Sequence, residues 1–339
     1  MTGPFRLPAG GSGTWVPASK FDLFAQMGVA WQGCVEERPA PYTTTDTPAQ
    51  ASNPDTLFVP YLWPDEEAAG QSAGRTALNG YFAGTGGACA PVYAQADAPG
   101  STTPVTNVVA NTLRGDTQTM VCKYRQAPVS AASGFSGAGG NRLPAGPNLL
   151  CQSRPLTLLT TESATLNAAV NAMTPDGDTN LVGGFMWAWR TISPNGPFAG
   201  VPGSGGRTPA PYGSTNKVII LMTDGFNHWA NAPAAINGSA YSSFGYFANG
   251  RLGATTASNY RNLMDGATLS ACANAKAAGV QVFTVGFSTP SDPIDATGLD
   301  LLQSCASQPG MAYVAPDGAA LVAAFGEIAG RLGGLRLVN

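Results

Sequence analysis

The sequence predicts an α/β fold built on a doubly wound, mostly parallel sheet, and three observations predict it. The first is Lys217–His228, KVIILMTDGFNH, where five consecutive apolar residues, Val218–Met222, run into Thr223-Asp224-Gly225. A short unbroken apolar run that ends in turn residues reads as a strand buried on both faces of a parallel sheet. The second is a repeat of that pattern at Val280–Phe287, VQVFTVGF. The third is the alternation of helical and strand patterns from about residue 155 onward, which implies right-handed βαβ crossovers. In open α/β sheets ligands bind in the loops at the carboxyl ends of strands, so Asp224 is a carboxylate placed where a site belongs.

The elements of this half follow in order. Thr161 stands as the N-cap of a helix, with Glu162 favourable in the first turn. Leu166, Ala169, Val170 and Met173 are spaced as one helical face, and Pro175–Asp178 breaks the pattern. Thr179 opens a second helix that carries Val182, Phe185, Met186 and Trp189 on one side and stops before Ser193-Pro194. Gly200–Gly213 is a loop, and the strand Val218–Met222 follows. Residues 225–261 form an inserted loop rich in Asn, Ser, Tyr and Gly. Leu263–Ala278 is a helix closed by Gly279, and Leu299–Ala306 is a shorter one carrying Cys305. Tyr313-Val314 is a third short strand. Asp317 caps a last helix with Leu321, Val322, Phe325, Ile328, Ala329 and Leu332 on one face, and Leu335–Asn339 is an extended tail.

Residues 1–154 are different in character. Gly 43 and Pro 27 make up about a fifth of the 339 residues, and much of that share falls here. Residues 1–20 are irregular, Phe21–Trp31 fits either a short strand or a helix, and Leu57–Val59 is a short strand closed by Pro60. Residues 66–150 read as one long irregular excursion, so the region needs cross-links in place of a core. Six cysteines, Cys34, Cys89, Cys122, Cys151, Cys272 and Cys305, are available, none of them in a CxxC pair. Such spacing disfavours zinc and favours disulfides in an oxidising compartment, against buried free thiols in a cytosolic protein. Of 15 possible connectivities, the expected one pairs Cys272–Cys305, Cys34–Cys151 and Cys89–Cys122.

Charged residues are 11% of the chain and the net charge is −3, with no basic stripe. That argues against nucleic acid as a partner and against an anionic membrane surface. No stretch approaches the ~20 apolar residues of a membrane span, and MTGPFRLPAGGSGTW has no signal-peptide core. Disulfides without an export signal are in conflict, unless a segment lies upstream or the thiols are reduced.

The ordered set WQGCVEERP (31–39), TLFVPYLWPDE (56–66), GPNLLC (146–151), GDTNLVGGFMWAWRTISP (177–194), KVIILMTDGFN (217–227), CANAKAAGVQVFTVGF (272–287), LLQSCAS (301–307) and YVAPDGAALVAAFGEIAGRL (313–332) covers most of the chain beyond residue 31. It resembles the carboxyl-terminal part of a von Willebrand factor type A domain, and more narrowly that of TadG-like proteins of the Flp/Tad pilus assembly system. The resemblance implies a metal-ion-dependent adhesion site holding Mg²⁺, in which Thr179 and Asp224 match the second and third ligand loops. The family's first loop, Asp-x-Ser-x-Ser, has no counterpart in this sequence. Mg²⁺ wants six oxygens, so one hydroxyl and one carboxylate with waters make a weak site. The resemblance further implies that the chain lacks the amino-terminal strands and membrane anchor. The strand beside Val218–Met222 would then be absent, and its edge left open for pairing. A split gene or a mis-assigned start would have the same effect.

The functional expectation is a non-enzymatic component of pilus assembly or adhesion at the periplasmic face of the cell envelope. Its partners would be other pilus-assembly or envelope proteins, with no direct membrane insertion by this chain. A metal-free structural domain is the alternative, and a secreted hydrolase the distant one. Each residue also has a plainer role. Asp224 can be a turn acid, Thr179 a helix cap, and Asp176 and Asp178 solvated turn residues. Asn227 either lines the metal face or bonds within the turn. His228 is the only histidine and the only candidate base for a Ser-His-Asp triad, but no Gly-x-Ser-x-Gly elbow accompanies it. Trp187, Trp189 and Arg190 read as packing residues. Tyr241–Phe247, YSSFGYF, would contact a partner or cover the sheet edge.

Overall fold

The apolar runs of the carboxyl-terminal half pair as a three-stranded parallel sheet. Its strands are β7 (Lys217–Thr223), β8 (Val280–Phe287) and β9 (Ala312–Ala315), in that spatial order. In the amino-terminal half are the hairpin β1 (Phe5–Ala9) with β2 (Thr14–Ala18), the pair β3 (Val35–Glu36) with β4 (Val59–Pro60), and the pair β5 (Gly134–Ser136) with β6 (Arg142–Pro144). The helices are α1 (Lys20–Met27), α2 (Ser163–Asn171), α3 (Leu181–Ile192), α4 (Tyr260–Ala277), α5 (Ala296–Cys305) and α6 (Gly318–Gly334). This computed structural model describes residues 5–9, 14–18, 20–63, 134–136, 142–144, 147–148, 151, 154–175, 177–203, 207–229, 241–245, 247, 250–254 and 260–334. The expected Cys89–Cys122 pair, Asp176, the tail 335–339 and most of the excursion 66–150 lie outside the described residues.

Side chains alternate across the sheet, and the two sides have separate cores. Ile219 and Leu221 of β7 join Val280 and Val282 of β8 under α3 and α4. Phe283 and Val285 of β8 face the other way, onto Met311 in the turn before β9 and onto Ile328 of α6. The α3 face predicted from spacing, Val182, Phe185, Met186 and Trp189, is fully inside the first core. Each such side chain contributes about 1.5–3 kcal/mol on burial. Gly279 ends α4 at φ 83°, a left-handed conformation that suits glycine.

Four expectations need correction. β8 is buried on both faces, but β7 is not: register places Ile220 and Met222 beside Phe283 and Val285, yet they are 37% and 44% exposed. The cause is that α6 packs on β8 and β9 and does not extend over β7. On α6 itself Ile328 is buried, while Val322 and Phe325 of the same predicted face are exposed. The predicted face of α2 is exposed as well, Val170 at 61%, and only Ala169 is buried. Finally, Glu162 rather than Thr161 occupies the N-cap of α2.

The amino-terminal half is less irregular than expected: residues 5–9 and 14–18 pair as a hairpin, and the strand expected at Leu57–Val59 is instead Val59–Pro60, with Pro60 inside it. Leu23, Phe24 and Met27 of α1 are buried, as are Leu62 and Trp63 after β4. The Cys34–Cys151 disulfide, with its Cα atoms 5.8 Å apart, closes 117 residues of sequence separation. Asn148 reinforces it, accepting from Gln32 N at 3.3 Å and donating to Ala30 O at 3.0 Å. Cys272–Cys305 joins α4 to α5 with a Cα separation of 5.3 Å. Loop-closure entropy makes these two cross-links worth about 4–5 kcal/mol each. No helix among the described residues is long and apolar enough to cross a membrane.

Candidate functional site

The carboxyl end of β7 carries the candidate site. The strand stops at Thr223, whose Oγ1 accepts from Gly225 N at 3.1 Å and turns the chain. Asp224 then projects into solvent, and its carboxylate has no hydrogen-bond or ion-pair partner among the described residues. The loop runs directly beside the start of α3. His228 N donates to Thr179 O at 2.9 Å, and Leu181 N donates to Asn227 Oδ1 at 2.8 Å. A Cβ built on Gly225 would lie 3.5 Å from Thr179 Oγ1. The loops of Thr179 and Asp224, 45 positions apart in sequence, are therefore neighbours.

Thr179 is not the cap of α3. Asn180 is, with its Oδ1 accepting from Gly183 N at 2.9 Å. Its Nδ2 donates to Ser243 Oγ at 2.9 Å, so both ends of the amide are committed. A side chain at Gly183 would collide with that amide, 2.6 Å from Nδ2. The capping role thus falls to the neighbour, and the Thr179 hydroxyl has no hydrogen bond among the described residues.

Asn227 is the residue that holds the two loops together. It is completely buried. Its Nδ2 donates to Asp265 Oδ1 at 2.8 Å and to Thr268 Oγ1 at 3.1 Å, both on α4, while its Oδ1 receives the first helical N–H of α3. A buried amide whose donor and acceptor are both satisfied holds the loop in one position, because either end would be costly to leave unpaired. His228 is exposed and sits with Nδ1 3.2 Å from Asp178 Oδ1 at the rim of the same surface.

The residues present fit Mg²⁺ only as a loosely held ion. One carboxylate and one hydroxyl are offered on adjoining loops, and the described residues contain no group of three or more His, Cys, Asp or Glu side chains close enough to share a metal. Water or an incoming oxygen must supply the rest of an octahedral shell.

A second constellation was not visible in the sequence. Glu36, Glu37 and Arg38, consecutive charges in WQGCVEERP, are all essentially inaccessible to solvent. The Glu36 carboxylate accepts from Lys20 Nζ, Tyr241 Oη and Arg251 Nη2. Glu37 pairs with Arg190 of α3 at 2.9 Å and accepts from Trp187 Nε1 at 3.0 Å. Arg38 donates to the carbonyls of Thr47 and Thr56 at 2.6 and 3.2 Å. Burial, with the Arg190 cation as the next cause, lowers the Arg38 guanidinium to about 10, and burial with nearby Arg251 pushes the Lys20 ammonium well below its ordinary value. Tyr212, which donates to Asp46, is raised to about 12 by burial first and by that bond second. Within YSSFGYF, Phe244 and Phe247 are buried and pack on Trp229 in the core beside Tyr260.

Three parallel strands flanked by helices on both faces define the chain as an α/β protein. Beyond that class, comparison adds no relative: no family model matches the chain, and neither curated proteins nor solved structures return a match.

Proposed function

We propose that this chain is a non-enzymatic protein-interaction component of the cell envelope, acting in Flp/Tad-type pilus assembly or adhesion through the surface formed by Thr179 and Asp224. The observation that supports the reading is the junction of the two loops: a free carboxylate and a free hydroxyl, brought together at the carboxyl end of a parallel strand and braced by buried Asn227. Asp224 and Thr179 would hold Mg²⁺, and the ion would supply a positive centre able to accept a carboxylate from a partner protein. Two disulfides are in keeping with the oxidising periplasmic side of the envelope.

A thermal melt with and without Mg²⁺ tests the reading. At a free Mg²⁺ concentration tenfold above its dissociation constant, linkage gives about 1.4 kcal/mol of stabilisation. For a chain of this size that is a rise of roughly 2–4 °C. Asp224→Ala should abolish the rise and leave the metal-free melting temperature unchanged, because the carboxylate has no protein partner to lose. A rise that persists in Asp224→Ala would place the ion elsewhere. No rise at all would favour the second reading, a metal-free interaction domain.

A further inference from the structure

Asn227 can brace the two loops in one direction only, and residues of α4 dictate which. Its Nδ2 faces two acceptors. Asp265 offers Oδ1 at 2.8 Å, and a carboxylate has no proton to give. Thr268 offers Oγ1 at 3.1 Å, and its own proton is committed to Met264 O at 2.8 Å. A flipped amide would set its oxygen against both of these oxygens and its NH₂ against the Leu181 N–H. The flip is therefore closed. Asn227 Oδ1 stays on Leu181 N, one of the amides that a helix start leaves without a partner of its own. The other oxygen of Asp265 faces a second donor. Its Oδ2 is shielded from solvent, makes no hydrogen bond and lies 3.4 Å from Arg261 Nε in an ion pair. The same guanidinium lies over the Phe226 ring, 4.1 Å from its centre, and its fork donates to the Asp295 oxygens at 2.5 and 2.6 Å. Arg261 thus touches the loop after β7, the cap of α5 and Asp265 at once.

We infer that Asp265 is the positioning residue of the Thr179–Asp224 surface, and that Arg261 fixes it in place. The inference rests on the reading of that surface as the functional site, but the geometry it invokes belongs to the metal-free chain. Donors stand on both sides of Asp265, Asn227 Nδ2 on one and Arg261 Nε on the other, so each of its oxygens must accept. Asparagine has the same shape and cannot do this. Its NH₂ must oppose either Arg261 or Asn227, and the second choice drives the flip that releases Leu181 N. The loop of Asp224 would then be joined to the loop of Thr179 only through the His228 N to Thr179 O bond, and the two oxygen donors would lose their fixed spacing.

Amide hydrogen exchange of the full, metal-free chain tests this. Asp265→Asn should speed exchange at Leu181 and His228 by about tenfold or more, and leave Val282 and Phe283 in the buried strand β8 as slow as in the wild type. A residue that only stabilised the fold would speed all four together. The swap Asn227→Asp with Asp265→Asn reverses the bond between the two side chains. It leaves Leu181 N and Arg261 Nε each with an acceptor, so it should fold and restore slow exchange at Leu181. Mg²⁺ affinity, read from the dependence of the melting temperature on Mg²⁺, should fall in Asp265→Asn and return in the swap. Absence of any Mg²⁺ effect in the wild type would sink the metal reading alone, because the exchange result involves no metal. Should Asp265→Asn not fold, the swap decides. Unchanged exchange at Leu181 in Asp265→Asn, equal acceleration in β8, a bound Mg²⁺ indifferent to Asp265→Asn, or a swap that does not fold or does not recover Leu181 would each overturn the proposal.

Discussion

Glu36 gathers Lys20, Arg251 and Tyr241 around a carboxylate that does not reach solvent. Removing one partner of a buried ionic cluster leaves the others charged and unpaired, at a cost of about 3–5 kcal/mol. Glu36→Gln should therefore lower the urea midpoint, corresponding to a loss of about 3–5 kcal/mol in unfolding free energy, and Glu36→Met with Lys20→Met should recover part of it. A midpoint unchanged by Glu36→Gln would contradict the cluster's structural role. Nothing in the sequence marked these charges as buried. Periodicity reports apolar faces, and VEER has no apolar partner spacing to report. Capping was legible only to within one residue. Thr179 and Asn180 are both good caps by type, and the choice falls to Asn180 because Gly183 N lies three residues beyond it, at hydrogen-bond distance.

Among the elements, α5 shows how a cap and an ion pair act together. Asp295 caps the helix through Gly298 N at 2.8 Å and accepts from Arg261 Nη2 at 2.6 Å. The Arg261 hydrogen bonds, with the Gly298 bond helping, hold its carboxyl down to about 2. A carboxyl whose folded value lies below its unfolded one stabilises fully above about pH 4, and that contribution is lost as pH falls toward 2. The side chain is 44% exposed, so solvent screening reduces the contribution to about 1 kcal/mol. Melting temperatures of wild type and Asp295→Asn should therefore differ at pH about 5 and converge by about 2; a constant gap would contradict the assignment. The strands β7, β8 and β9 and the helices α3 to α6 were legible because apolar runs and helical spacing are local signals. Which faces stay open was not. The exposure of Ile220, Met222 and the α2 face depends on where α6 and α2 pack, and that is set by chain contacts far apart in sequence.

For the whole molecule, each disulfide closes within its own half, and a buried charge cluster with backbone hydrogen bonds ties the amino-terminal half to the sheet-bearing half. Ala40 N bonds to Arg251 O at 2.8 Å, Glu37 N bonds to Ser243 O at 2.7 Å, and Arg190 reaches Glu37 from α3. Residues 36–40 thereby clamp the inserted loop after β7 and the helix that follows Thr179, which are the two supports of the candidate site. The parts of the site legible in the sequence were its oxygen donors, because a carboxylate at the end of an apolar strand is a local pattern. Its brace, Asn227, was not, because a buried asparagine among turn residues resembles any other turn asparagine until its partners on α4 are known. The most direct measurement is a Mn²⁺ titration followed by electron paramagnetic resonance, with Mn²⁺ standing in for Mg²⁺ at an oxygen site. One ion per chain should bind with a dissociation constant of about a millimolar or weaker, as expected for two protein ligands. Asp224→Ala and Thr179→Val should each remove that binding, while Asp292→Ala, an exposed acid on another loop, should leave it intact. No bound Mn²⁺, or binding that survives both Asp224→Ala and Thr179→Val, would contradict the account.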